Sequence, residues 1–76
     1  MTMDLSNRHP GTQQIMRYFE FAHLPDGPLK NTSASCAMLA EVMVQTLPDG
    51  PELTAGLRKL LEAKDCFVRS ALDLLE

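Results

Sequence analysis

The pentapeptide LPDGP occurs twice, at Leu24–Pro28 and again at Leu47–Pro51, as either a duplicated loop or punctuation between helices. A proline biases the residue before it away from the α region and Asp-Gly turns readily, so each copy is expected to stop a helix. The second proline of each copy, Pro28 or Pro51, has its φ already fixed and no N–H to lose. That suits the first turn of the helix that follows. A true repeat would carry its similarity onward, yet the stretches that follow, LKNTSASCAMLAEVM and ELTAGLRKLLEAKDC, share hardly more than an alanine. The two copies read as similar corners joining three different helices.

Before the first corner, TQQIMRYFEFAH (Thr12–His23) places Ile15, Phe19 and Ala22 at helical spacing behind Thr12 as a cap. It reads as a short aromatic helix. Three of the four aromatics, Tyr18, Phe19 and Phe21, fall within four residues of each other, and the fourth is Phe67. They fit either a hydrophobic plug for a small core or a platform on which a ligand stacks, and helical neighbours point in different directions, so one run can serve both.

Between the corners, Leu29, Cys36 and Met43 recur seven apart with Ala40 and Leu47 beside them, the pattern of an amphipathic helix. Its opening, KNTSAS, is rich in hydroxyls and amides. Those side chains suit capping, and with Lys30, Thr32 and Ser33 beside free N–H groups they equally suit an anion site. After the second corner, one apolar line runs through Leu53, Leu57, Leu60, Phe67, Ala71 and Leu74 with Lys64 on it, and a second runs through Leu61, Val68, Leu72 and Leu75. A helix apolar over so much of its circumference needs cover on more than one side, which implies self-association. Lys64 on that stripe is either a snorkelling side chain or a functional cation. Arg58 with Glu62, and Asp65 with Arg69, have the spacing of surface ion pairs.

Seventy-six residues with 45% hydrophobic content and a net charge of −3 describe one small domain, expected over residues 12–76 behind a flexible end at 1–11. The amino end lacks an apolar h-region and no stretch approaches the ~18 apolar residues of a membrane span, so a soluble cytoplasmic protein is expected. The acidic balance argues against binding long nucleic acid. Cys36 and Cys66 have no CxxC spacing and are expected to be reduced and packed. His9 and His23 complete no zinc pattern with them, and PDGP lacks the strand and lysine of a phosphate loop. No metal, cofactor or catalytic set is expected.

Three pieces in order, YFEFAHLP (Tyr18–Pro25), MLAEVM (Met38–Met43) and LPDGPELTAGLRKLLEAKDCFVRSAL (Leu47–Leu72), resemble the small bacteriophage anti-CBASS proteins that sequester cyclic oligonucleotide signals. The resemblance spans about residues 17 to 73. It implies an all-α protein, an antiparallel hairpin of two long helices with a short aromatic arm, assembled as a homo-oligomer that is hexameric in similar proteins. It implies a non-enzymatic sponge in the infected host bacterium, which binds cyclic dinucleotides and cyclic trinucleotides without cleaving them. In similar proteins an aromatic of the arm stacks on the nucleobase and a lysine at the start of the second helix meets phosphate. Here these match Phe21 or Tyr18, and Lys30. Thr32 and Arg69 are further candidates, for a second, trinucleotide pocket between subunits. The competing class is a small helical adaptor or assembly protein whose aromatics and leucines only build an interface.

Overall fold

The computed structural model describes residues 5–75, which form three α-helices and a closing 3-10 turn, with no strand among the described residues. The helices are α1 (Pro10–Arg17), α2 (Pro28–Thr46) and α3 (Pro51–Ala71), and the turn covers Leu72–Leu75. Both corners start helices as expected. Pro28 and Pro51 occupy the first turns of α2 and α3 behind Gly27 and Gly50, neither of which offers a side-chain cap. The glycines differ in conformation. Gly27 has φ 139°, where a side chain is strained, whereas Gly50 is extended at φ 164°. Neither would crowd an added Cβ. Gly27→Ala is therefore expected to destabilise the fold by about 1–3 kcal/mol through backbone strain alone, while Gly50→Ala stays near wild type in a urea titration.

The second LPDGP stops α2 at Thr46, but the first stops nothing, because α1 has already ended at Arg17, seven residues before Leu24. The expected helix over Thr12–His23 is thus displaced toward the amino end. Its cap is His9, whose Nδ1 accepts from the Gly11 N–H at 3.0 Å, and Thr12 lies inside the helix. The Thr12 side chain is fully buried and its hydroxyl has no partner among the described residues. Thr12→Val keeps the shape and removes an unpaired polar atom, so its melting temperature is expected to equal or exceed that of wild type.

The early stop has a packing cause. After Arg17 the backbone tightens, with the Tyr18, Phe19 and Glu20 N–H groups donating to Ile15, Met16 and Arg17 carbonyls three residues back. On a continuing helix Phe19 and Phe21 would point to opposite sides. Off the helix, Phe19 is buried at 2% exposure and Phe21 packs against the same core.

That core gathers Ile15, Met16 and Phe19 from the amino-terminal arm with Cys36, Ala37, Ala40 and Val44 of α2 and Leu53 and Leu57 of α3. α3 packs against both α1 and α2, and the 3-10 turn also reaches α2. The buried face of α2 is built of small residues, Ser33, Cys36, Ala37, Ala40 and Val44. Met43 and Leu29 are only half-buried and Leu47 is exposed. The apolar line of α3 is buried at Leu53, Leu57 and Ala71, but Phe67 and Leu74 are exposed. Both thiols are free, as expected, yet only Cys36 is packed, and Cys66 faces solvent. Neither surface pair of α3 forms: the ion pairs among the described residues are Arg8–Asp49 and Lys30–Asp26.

Residues 1–4 of the end expected to be flexible lie outside the described residues, and the rest of it docks on the second corner. Arg8 donates to the Val44 carbonyl, to the Leu47 carbonyl at 3.2 Å and to the Asp49 carboxylate at 3.2 Å, while the His9 N–H donates to the same carboxylate. The last turn of α2 carries no basic residue of its own, so Arg8 supplies the cation that its free carbonyls favour. Arg8→Ala is expected to cost about 1.5–3 kcal/mol in chemical denaturation, the range for hydrogen bonds to a charged group. Asp49→Ala should remove only part of it, because the carbonyl contacts remain.

Candidate functional site

Two clefts flank the packed helices, and between them they take three of the five candidate residues. The first, of about 460 Å³, lies between the segment after α1, the start of α2 and the second half of α3. Arg17, Tyr18, Glu20 and His23 line it from the arm, Ser33 from α2, and Lys64, Asp65, Val68 and Arg69 from α3. Tyr18 stands here with 66% of its surface exposed, unlike its neighbour Phe19. The division of labour is physical: Phe19 anchors the arm in the core, and Tyr18, its neighbour on the same closing turn, points to a different side and faces outward.

Three cations, Arg17, Lys64 and Arg69, share this cleft with two carboxylates, Glu20 and Asp65, so its balance is positive in a chain whose net charge is −3. Arg69 does not spend its charge on Asp65. Its Nη2 lies 3.4 Å from the Cys66 sulfur, a weak acceptor, which leaves the guanidinium available to an anion. Lys64 crosses from α3 to donate to the Tyr18 carbonyl at 2.7 Å. The stripe lysine is therefore a tie between α3 and the end of α1, where a cation also suits the helix dipole.

The second cleft, of about 580 Å³, opens on the α2–α3 side that carries Thr32, Ser35, Cys36 and Leu39 opposite Leu60, Phe67, Ser70, Ala71 and Leu74. It has hydroxyls and apolar walls and no charged residue. Leu39 and Leu60 also border a neighbouring, largely apolar groove with Met43, Leu47, Leu53 and Leu57, whose lining carries one charged residue, Glu52. The apolar surface thus continues toward the second corner.

Of the five candidate residues, the structure brings Tyr18 and Arg69 together, places Thr32 in the other cleft, and leaves Phe21 half-buried against the core. Lys30 lines neither cleft. It sits in the first turn of α2 with its ammonium 3.4 Å from Asp26, and the hydroxyls around it do not cap the helix. Ser35, for example, bonds back to the Asn31 carbonyl at 3.0 Å. Arg17 and His23, not among the expected ligand contacts, join the first cleft because α1, which ends at Arg17, packs against α3 and the bend after it carries His23 to the same side. Arg58 lies in a separate depression beside His9 and Gly50. Among the described residues no group of three His, Cys, Asp or Glu could hold a metal ion, and no helix is long and apolar enough to cross a membrane. No protein-family model, curated protein or solved structure matches the chain.

Proposed function

We propose that the protein binds cyclic dinucleotides or cyclic trinucleotides in the Tyr18 cleft and sequesters them without cleavage, blocking anti-phage signalling in an infected bacterium. The observation that carries the reading is the meeting, in one cleft, of an exposed aromatic ring with Arg17, Lys64 and Arg69. A cyclic oligonucleotide offers bases that stack on such a ring and phosphodiesters that pair with such cations. In this reading the cleft captures rather than converts: its ring, cations and carboxylates give a ligand places to rest, and ligand leaves intact.

The same reading makes α2 and α3 an antiparallel hairpin with α1 and its aromatics as an arm, and the assembly a homo-oligomer, hexameric by the resemblance. What supports assembly is the uncharged surface of Leu39, Leu60, Phe67 and Leu74, large side chains that are exposed except for the half-buried Leu60. That surface also favours the second reading, an adaptor whose apolar face is its whole function.

One experiment separates the two. A thermal-shift titration with cyclic dinucleotides and with cyclic triadenylate, followed by chromatography of the recovered ligand, is expected to raise the melting temperature and return unaltered nucleotide. An unchanged melting temperature with both ligands favours the adaptor, and recovery of linear nucleotide contradicts sequestration. Light scattering showing only monomer at micromolar concentration would remove the oligomer from the reading.

A further inference from the structure

We infer that Lys64 is the positioning residue of this site: its hydrogen bond to the Tyr18 carbonyl holds the aromatic ring at the mouth of the cleft. The inference rests on the cyclic-nucleotide reading for its functional meaning, and on geometry for its structural content. Tyr18 caps the carboxyl end of α1, in the αR conformation with φ −78° and ψ −7°, and the chain leaves the helix immediately after it. Tyr18 as a residue is 66% exposed, so packing does not fix its ring. Two neighbours fix its backbone instead. Phe19 is buried in the core on one side, and on the other the Lys64 ammonium reaches across 46 residues of sequence to the Tyr18 carbonyl at 2.7 Å.

This contact does two things at once. It satisfies a carbonyl at the end of α1 that has no helical partner, and it brings a cation to the cleft that Tyr18 lines. One hydrogen bond therefore fixes the Tyr18 backbone, from which the ring projects, beside a cation in the cleft. A ligand that stacks on Tyr18 finds Arg17 and Arg69 already at the wall, with little ordering left to do. Without the bond, the segment after α1 keeps its i to i−3 turns and the Phe19 anchor, but the Tyr18 backbone loses its tie to α3 and the ring samples a wider range of orientations.

The chain contains a single tyrosine and no tryptophan, so tyrosine fluorescence reports Tyr18 alone. The experiment measures steady-state tyrosine anisotropy, far-UV circular dichroism and calorimetric binding of a cyclic dinucleotide for wild type, Lys64→Met and Lys64→Arg. Lys64→Met keeps most of the hydrocarbon stem and removes the donor, whereas Lys64→Arg restores donor and charge. The expected result is an unchanged helical signal in Lys64→Met, a lower tyrosine anisotropy, and an affinity reduced about 10- to 100-fold, the range for a lost charge-assisted contact. Lys64→Arg should recover both readings. A folded Lys64→Met protein with wild-type anisotropy overturns the positioning role, whatever its affinity. Loss of the helical signal in Lys64→Met also overturns it, since Lys64 would then hold the fold rather than the ring. If wild type binds no cyclic nucleotide, the ligand reading fails while the anisotropy comparison still judges the contact between Lys64 and Tyr18.

Discussion

Replacing Phe19 with alanine is expected to cost about 3–5 kcal/mol, the range for truncating a fully buried aromatic. At 2% exposure Phe19 is among the largest fully buried side chains, and it is the point at which the arm enters a core shared with Ala37, Ala40 and Leu57. Small residues on α2 cannot expand to fill the space a ring leaves, so the cavity stays largely open. For a domain of this size the loss corresponds to a fall in melting temperature of about 12 °C or more, measurable by circular dichroism. Cyclic-nucleotide binding should fall with it, because the segment that carries Tyr18 loses its anchor. Phe21→Ala, at a half-buried position on the rim of the same core, should cost visibly less. Equal losses for the two variants would contradict the arrangement of the arm described above.

Tyr18→Ala should do the reverse: little change in stability and a large change in binding. Most of the ring is in solvent, and surface substitutions of that kind stay within about 0.5 kcal/mol. A lost base stack is worth about 1–3 kcal/mol, or roughly 5- to 150-fold in affinity. Arg69→Gln is expected to fall in a similar range by removing a phosphate partner, and its effect should shrink as salt is raised. Lys30→Ala is the discriminating comparison. Lys30 lies outside the cleft and already pairs with the exposed Asp26 carboxylate, so its removal should lower affinity less than either substitution in the cleft. Calorimetric titration of the three variants with a cyclic dinucleotide and a cyclic trinucleotide reads all of this. A Lys30→Ala loss larger than that of Tyr18→Ala would move the site to the start of α2. Loss of one ligand class alone would point to separate pockets, and Thr32→Val in the second cleft then tests the other.

The helical class, the second corner and the starts of α2 and α3 were legible in the residues, because each depends on chemistry within a few positions. Pro28 and Pro51 act through their own fixed φ, and a helix amino terminus forgives a missing N–H wherever it occurs. The end of α1 was not legible in the same way. Thr12 to His23 has good helical spacing, and only the core's demand for Phe19 and Phe21 on one side breaks the helix at Arg17. The buried face of α2 was likewise decided by its partner: α3 approaches along Ala37, Ala40 and Val44, where side chains are short, and larger Met43 and Leu47 are left at the margin. For the candidate site, residue types such as an arm aromatic and local cations could be read off, but their grouping could not. Thr32 and Arg69 separate into different clefts, while Arg17, Tyr18, Lys64 and Arg69 converge although the second and third of them are 46 positions apart. Such convergence depends on where two helices cross and where a chain turns back. Those are properties of packing among distant segments, and no local spacing of residues encodes them.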